Sequence, residues 1–282
     1  MDEQAFAQSR VPTNPHAPAR RPEATRGGAV ADAPDPRFDV RWASQLSEVR
    51  EAQRLRYAVF AGEMGAQIAP LPGGPIGHDV DRFDEYCEHL LVRLAREDGE
   101  FGLPGEVVGT CRVLTPDAAR RAGGWYSETE FDLRNVRPVL NQALELGRSC
   151  VHPQWRGGAV VMALWSALGE FMLNNGLNTM IGCASVSMRD GGHAAATLWA
   201  KLRQTHLAEA QWHVRPRLPL PVDELRHDLE VETPPLIKGY LRCGAKVLGP
   251  PAWDAHFQTA DLPLMMRFAD LAPRYRRHFL GG

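Results

Sequence analysis

Charged side chains lie inside two otherwise apolar runs of this sequence. Residues 143–151, ALELGRSCV, contain Glu145 and Arg148, and Arg112 lies in VVGTCRVL. A buried charge left without a partner costs several kcal/mol, so each of these groups needs an opposite charge or a ligand. A guanidinium in such a position could hold a carboxylate in bidentate geometry, which would fix both side chains.

Gly147 bears on how the charges of the first run are arranged. In a regular strand Glu145 and Arg148 would point to opposite faces. A glycine inside a strand often marks a β-bulge, which would bring both side chains onto one side. The bulge would also free a backbone N–H that could stabilise an oxyanion. An ion pair within the core is the alternative reading of the same pattern.

A third arginine, Arg56, falls near the middle of the apolar arc when residues 46–64 are projected as a helix. It either extends to solvent or pairs locally with Glu63, or else it lines a pocket and needs an anionic partner there. The loop GHDVDRFDEYCEH supplies candidate partners, although acids in a loop are usually just solvated. The acids of this loop are Asp79, Asp81, Asp84 and Glu85.

The sequence QWRGGA, residues 154–159, separates the run 144–151 from an apolar helix predicted at 160–175. Gly157 and Gly158 would let a ligand approach the backbone, and the N-terminus of the helix presents unpaired N–H groups to a phosphate. Arg156 would add a charge-assisted contact. The turn is therefore a candidate phosphate-binding turn.

The surrounding pattern predicts an α/β fold with a mixed sheet. The helix at 160–175 is apolar nearly all round, so it should be covered on a second side, and the C-terminal segment is our candidate cover. We expect Ser47 to cap the first helix and residues 215–221 to form a connection. The predicted elements are, in order, strand 38–42, a helix to about 64, a hairpin of 89–95 and 106–114, strand 144–151, helix 160–175, strand 179–186, helix 194–207 and a late strand in DLPLMMRFA.

Composition sets further bounds on the chain. Residues 1–36 are rich in Pro, Ala and Arg, and we predict that they are disordered and precede one domain at 37–282 that includes a C-terminal extension from about 215. A net charge of −2 argues against a general nucleic-acid binder. The histidine and cysteine spacing matches no metal motif, so we expect no metal site. We also expect no membrane span and no secretion signal, and hence a cytoplasmic protein with reduced cysteines.

These residues together resemble the GNAT superfamily of acyltransferases. Its degenerate motif (Q or R)-x-x-G-x-(G or A) is matched by Gln154, Gly157 and Ala159. A closer resemblance, over about residues 40–280, is to two branches that take acyl groups from acyl carrier protein: the acyl-homoserine lactone synthases and the L-ornithine Nα-acyltransferases. The motifs of both branches are present as RYAVF with Arg56, DRFD with Asp81 and Asp84, VVGTCR with Arg112, and ELGR with Glu145 and Arg148.

The second branch is the closer match, through YSETEFDL, LGRSCVHPQWRGG, GCASV and PPLIKGYLRCGAKVLGPPAWD. The resemblance implies a GNAT-like, mostly antiparallel central sheet flanked by helices. It also implies transfer of a 3-hydroxyacyl group from acyl carrier protein to the α-amine of L-ornithine, which gives lyso-ornithine lipid. The alternatives are a lactone synthase that uses S-adenosylmethionine, and a non-catalytic module that binds an acyl carrier.

The resemblance also implies roles for the residues named above. Glu145 would be the general base, and Arg56, Asp81, Asp84, Arg112 and Arg148 would bind the acceptor, with the two acids either holding the cationic amine or ordering the arginines. The phosphopantetheine arm of the donor would lie along Val151, Arg156, Gly157 and Gly158, with no other cofactor. A lipid product implies peripheral contact with a membrane, which the arginines of RYRRHF could support.

Overall fold

The computed structural model describes residues 37–68, 70–95 and 105–271. The predicted disordered tail at 1–36, residues 96–104 of the predicted hairpin and the C-terminal RYRRHF lie outside these residues. Within the described part, one large sheet is flanked by helices on both faces, so the predicted α/β class is confirmed.

Ten strands are present in the described chain. Eight of them form the central sheet in the order β1-β2-β3-β5-β6-β10-β8, with β9 also paired to β10. All of these pairs are antiparallel except β5 with β6. β4 and β7 form a separate two-stranded sheet. The strands are β1 (Phe38–Trp42), β2 (Glu88–Leu94), β3 (Val107–Leu114), β4 (Phe131–Asp132), β5 (Ala143–Val151), β6 (Thr179–Ser187), β7 (Arg215–Pro216), β8 (Lys246–Val247), β9 (Ala252–Asp254) and β10 (Thr259–Arg267).

Seven α-helices connect the strands of the described chain. They are α1 (Leu46–Tyr57), α2 (Pro116–Arg121), α3 (Ser127–Glu130), α4 (Arg137–Leu140), α5 (Ala159–Asn174), α6 (His193–Thr205) and α7 (Pro235–Cys243). The predicted helix to residue 64 begins at Leu46 and continues past Tyr57 as a π-helical turn, Ala58–Glu63. The cap is Gln45 rather than Ser47, because Glu48 accepts hydrogen bonds from the backbone N–H groups of Ser44 and Gln45.

Helices α1 and α5 cover opposite faces of the sheet. The apolar stripe of α5 packs on β1, β2, β3 and β5, and its members are Val160, Leu164, Leu168 and Met172. The predicted C-terminal cover is also confirmed, because Tyr240 on α7 meets Trp165 on α5 with ring centroids 5.0 Å apart. An apolar helix is thus buried between the sheet and the C-terminal segment, as its composition requires.

The parallel strands β5 and β6 separate in the middle of the sheet. They pair only from Ala143–Thr179 to Glu145–Ile181, after which β5 stays with β3 and β6 with β10. At the point of separation, a Cβ on Gly182 would lie 2.5 Å from the Leu146 carbonyl oxygen. Glycine is therefore required at position 182, because any larger residue would collide with the backbone of β5.

Candidate active site

A β-bulge interrupts β5 just where the strands separate. Thr110 of β3 faces Cys150, but Arg112 faces Gly147, so β5 carries one extra residue at 148–149. Arg148 has a φ of 50°, which is uncommon for a residue other than glycine. The bulge predicted near Gly147 is therefore present one residue later, and it turns Arg148 toward the side of the sheet that carries Glu145.

Arg56 lies in a fully buried ion network. Its Nε donates to Asp79 Oδ2 at 2.8 Å, and its Nη1 donates to Asp84 Oδ1 at 2.9 Å. The side chains of Arg56 and Asp84 are 1% and 0% exposed, so Arg56 neither reaches solvent nor pairs with Glu63. The prediction that Arg56 has a buried anionic partner is therefore confirmed, and two acids of the loop, Asp79 and Asp84, share that role.

Asp81 joins the two arginines of the strands to this network. Arg112 donates to both Asp81 oxygens, at 2.6 and 2.7 Å, and also to Asp84 at 2.9 Å. Arg148 donates to Asp81 at 3.0 Å. The structure therefore brings together all five residues predicted to bind the acceptor, and both acids order the arginines.

The network fixes the charge of its members. Burial by itself would raise the pKa of Asp84, but Arg56 and Arg112 outweigh burial and hold that pKa well below its usual range. The same balance, set by Arg112 and Arg148, lowers the pKa of Asp81. Both carboxylates are therefore ionised at neutral pH, and the arginines are held by charge-assisted hydrogen bonds.

Glu145 is buried on the same side of the sheet and is held by the start of α3. Its carboxylate accepts hydrogen bonds from the Tyr126 N–H at 2.7 Å and the Ser127 N–H at 2.6 Å, and from the Ser127 hydroxyl. Burial raises the pKa of Glu145, and these hydrogen bonds offset part of the effect. A carboxylate with a raised pKa is a stronger base than an exposed one once it is ionised.

Two cavities adjoin β5 just before the bulge. The first is called here the polar cavity and is lined by Phe83, Cys87, Arg112, Leu114, Tyr126, Glu145 and Gly147. The second is called the apolar cavity and is lined by Leu146, Met180, Ile181, Gly182, Cys183, Ala184, Tyr240, Ala245, Leu264, Met265 and Met266. Consecutive residues of β5 thus line different cavities, with Glu145 and Gly147 on the polar one and Leu146 on the apolar one.

The glycine turn lies at the open end of β5. Gly158 caps α5 with a φ of 97°, and a Cβ on Gly157 or Gly158 would meet nothing within 4 Å, so the turn is open to a ligand. Arg156 donates to the Val151 carbonyl at 3.2 Å and to both Glu63 oxygens at 2.5 and 2.7 Å. The arginine predicted to meet a phosphate therefore has a carboxylate partner in this structure.

Three further acids, which the sequence pattern alone did not single out, lie close together. They are Asp254, Asp261 and Glu130, called here the acidic patch, and the charges of Asp254 and its neighbours raise the pKa of Asp261 and of Glu130. Burial, together with Asp254, raises the pKa of Asp261 to about 6, and burial, with Asp254 and Asp261, raises that of Glu130 to about 7. Asp261 begins the run DLPLMMRFA, so it carries the same signal, a charge at an apolar strand, that identified Glu145.

Burial suppresses the reactivity of the thiol next to the bulge, and it raises the pKa of Cys150 to about 12. Such a thiol stays protonated at neutral pH and is a poor nucleophile.

In the described residues, no group of His, Cys, Asp and Glu is arranged to hold a metal ion. Within the same residues, no helix has the length and apolar character needed to cross a membrane.

Comparison with known proteins gives one consistent set of relatives. The sequence model of the Acetyltransferase (GNAT) domain matches residues 55–166. The L-ornithine N(alpha)-acyltransferase of Rhizobium meliloti (strain 1021) is 34% identical over 86% of this chain and 84% of its own length. The enzyme of the same name from Rhodobacter capsulatus is also 34% identical, over 86% of this chain and 94% of its own.

Among solved structures, the AHL synthase LasI is 15% identical and covers 87% of this chain and 95% of its own, with a TM-score of 0.48. This chain is an N-acyltransferase that belongs to the L-ornithine N(alpha)-acyltransferase family.

Proposed function

We propose that this enzyme transfers a 3-hydroxyacyl group from acyl carrier protein to the α-amine of L-ornithine and so forms lyso-ornithine lipid. One observation carries the proposal: consecutive residues of β5 line the two cavities, Glu145 and Gly147 the polar one beside Arg112 and Leu146 the apolar one, where β5 parts from β6. An amine acceptor suits the first cavity, and an acyl chain suits the second. Their junction is where the amine and the thioester would meet.

In this mechanism the α-ammonium group first loses a proton, and Glu145, directly or through a water, receives it. The free amine attacks the thioester carbon, and the backbone N–H freed by the bulge stabilises the oxyanion. Collapse of this intermediate breaks the C–S bond and releases the phosphopantetheine arm as a thiolate. The proton that the attacking nitrogen loses as the amide forms passes to this thiolate, directly or through a water. No acyl-enzyme forms, which agrees with the raised pKa of Cys150.

The arginines would receive the α-carboxylate of the acceptor. Arg148 is the arginine suited to direct contact, because its side chain is 10% exposed whereas those of Arg56 and Arg112 are 1% and 3% exposed. Arg56, Asp81 and Asp84 then act as positioning residues, which hold Arg148 beside Arg112 in the wall of the polar cavity. The guanidinium of Arg148 also stacks 4.9 Å from the Tyr126 ring centroid, which fixes its direction.

The rest of the acceptor would extend toward the acidic patch. Ornithine keeps a second ammonium group after its α-amine has reacted, and the relatives named above act on ornithine according to their names. Asp261 is buried, and its hydrogen-bond partners are the hydroxyls of Thr259 and Ser185 rather than a cation. A carboxylate in that setting would be stabilised by the ammonium group of the substrate.

The donor arm would enter along Val151 with its phosphate at Gly157 and Gly158. Arg156 would exchange Glu63 for the phosphate, because both partners are anionic and the pair is nearly half exposed. An acyl carrier protein has a single phosphate at this end of the arm, and one arginine with an open helix N-terminus can bind it. We place the enzyme in the cytoplasm, in peripheral contact with the membrane that receives its product, and the reaction needs no cofactor beyond the arm.

The donor and the acceptor can be tested together. Purified enzyme is incubated with 3-hydroxyacyl carrier protein or 3-hydroxyacyl-CoA, each with L-ornithine or S-adenosylmethionine, and release of the free thiol is followed. The proposal predicts turnover with the carrier protein and ornithine. If S-adenosylmethionine is acylated and ornithine is not, the enzyme is a lactone synthase. If only the CoA thioester is a donor, the carrier protein is ruled out as the donor. Binding of the carrier protein without turnover would favour a non-catalytic module.

A further inference from the structure

A single phenol interrupts the wall of the apolar cavity. Tyr240 contributes the one hydroxyl among the lining side chains, which otherwise end in aliphatic carbon, thioether sulfur or the Cys183 thiol. Tyr240 comes from α7 in the C-terminal extension, about ninety residues after the bulge. The site proposed above does not use it.

Tyr240 is fixed in place by two contacts. Its ring packs edge-on against Trp165 of α5, at an interplanar angle of 61°. Its hydroxyl lies near enough to the side chain of Ser149, the second residue of the bulge, for the two to interact. The phenol therefore joins the apolar cavity to the point on β5 where the thioester would lie.

The pair of hydroxyls retains hydrogen-bonding capacity. Two hydroxyl groups offer two O–H donors and four lone pairs, and a bond between them would use only one of each. An unsubstituted acyl chain can use none of the remaining groups, whereas a hydroxyl on the chain can both donate and accept. Because Ser149 lies in the bulge, that hydroxyl must be within a few carbons of the thioester.

We propose that Tyr240 and Ser149 form a specificity-determining pair that recognises a hydroxyl near the thioester end of the acyl chain. This inference rests on the proposed function, since it places the acyl chain in the apolar cavity. Burial raises the pKa of Tyr240, so the phenol stays protonated and donates a hydrogen bond rather than a proton. Hydrogen bonding to the substrate therefore fits Tyr240 better than protonation of the leaving thiolate.

The test compares two carrier-protein donors of equal chain length, one with a 3-hydroxyl and one without. Their affinities are measured by calorimetry without acceptor, and kcat/KM is measured with ornithine. The wild-type enzyme should favour the hydroxylated donor about tenfold, and Tyr240→Phe, which keeps the ring against Trp165, should abolish that ratio. Ser149→Ala should lower the ratio less. Leu264→Ala, which enlarges the cavity, should change chain-length preference but not the hydroxyl ratio.

Several results would overturn the inference. A wild-type enzyme with no preference for the hydroxyl would do so, as would a Tyr240→Phe variant that keeps the preference. A variant whose kcat falls equally with both donors would instead place the phenol at the leaving thiolate. If ornithine is not acylated at all, the proposed function fails, but the calorimetric comparison still decides whether the pair reads the hydroxyl.

Discussion

The carboxylate of Glu145 accepts two hydrogen bonds from Ser127, one from its backbone N–H at 2.6 Å and one from its hydroxyl. This contact ties the middle of β5 to the first turn of α3. It gives Glu145 a fixed direction beside the polar cavity, which a general base requires. It also means that any substitution of Glu145 must be separated from an effect on folding.

Glu145→Gln should lower kcat by about 10²- to 10⁴-fold, the usual contribution of a general base, with little change in the KM for ornithine. Glutamine keeps the shape and one acceptor oxygen for Ser127, so circular dichroism and thermal unfolding should show a folded protein. Ser127→Ala, which leaves the carboxylate in place, is the matched control and should reduce kcat far less. A Glu145→Gln enzyme with near wild-type kcat would show that the base is another group.

Asp84→Asn should destabilise the fold by about 3 kcal/mol, because it leaves Arg56 and Arg112 buried with fewer opposite charges. Urea unfolding at pH 7 measures this change. The control is Asp39→Asn, which breaks an exposed pair with Arg41 and should change stability by less than about 1 kcal/mol. Equal effects of the two substitutions would contradict the ion network as a structural element.

Because the pKa of Asp84 is lowered in the folded protein, the protein should lose stability as the pH falls. The pKa of Asp84 in the folded protein lies below its value of about 3.9 in the unfolded chain. Ionised Asp84 therefore contributes its full stabilisation above the unfolded-chain pKa. That stabilisation is lost as the pH falls toward the pKa of the folded protein. The wild-type protein should therefore lose stability more steeply below about pH 5 than Asp84→Asn does. Parallel curves for the two proteins would show that Asp84 is not the group responsible.

The acidic patch should make selection for ornithine depend on pH. The ratio of kcat/KM for ornithine to that for norvaline, which lacks the second amine, isolates the patch from pH effects on the shared α-amine. Because Asp261 and Glu130 ionise near pH 6 and 7, the ratio should rise as the pH increases through that range. Asp261→Asn should lower the ratio about tenfold at pH 8, and an unchanged ratio would place the second ammonium elsewhere.

Gly182→Ala should impair use of the acyl donor. The added Cβ would lie 2.5 Å from the Leu146 carbonyl oxygen, so β5 or β6 must shift at the mouth of the apolar cavity. Overpacking of this kind costs about 1 to 3 kcal/mol, and the KM for the acyl carrier protein should rise. Gly62→Ala, whose Cβ would meet nothing within 4 Å, is the control and should change neither quantity. A normal donor KM in Gly182→Ala would contradict the placement of the acyl chain.

Much of this site could be predicted from charges inside apolar runs. Glu145, Arg112 and Arg148 were identifiable because a buried strand rarely carries an unpaired charge, and Gly147 correctly indicated a bulge. The choice of Asp79 and Asp84 as partners of Arg56 was not predictable, since the path of the loop decides which of its four acids reach the arginine.

Two other features depend on contacts distant in sequence. Glu63 meets Arg156 from a π-helical turn that the apolar pattern of residues 46–64 does not predict. Tyr240 reaches the bulge only because α7 packs across α5. The apolar composition of α5 predicts that the C-terminal segment covers it. It does not predict that the Tyr240 side chain lines the apolar cavity.

The most direct test of the central claim is the identity of the product. The enzyme is incubated with 3-hydroxyacyl carrier protein and L-ornithine, and the product is fragmented in a mass spectrometer to locate the acyl group. The account predicts a 3-hydroxyacyl amide on the α-nitrogen, which is lost with Glu145→Gln. An amide on the side-chain nitrogen, or no ornithine adduct from a folded enzyme, would contradict it.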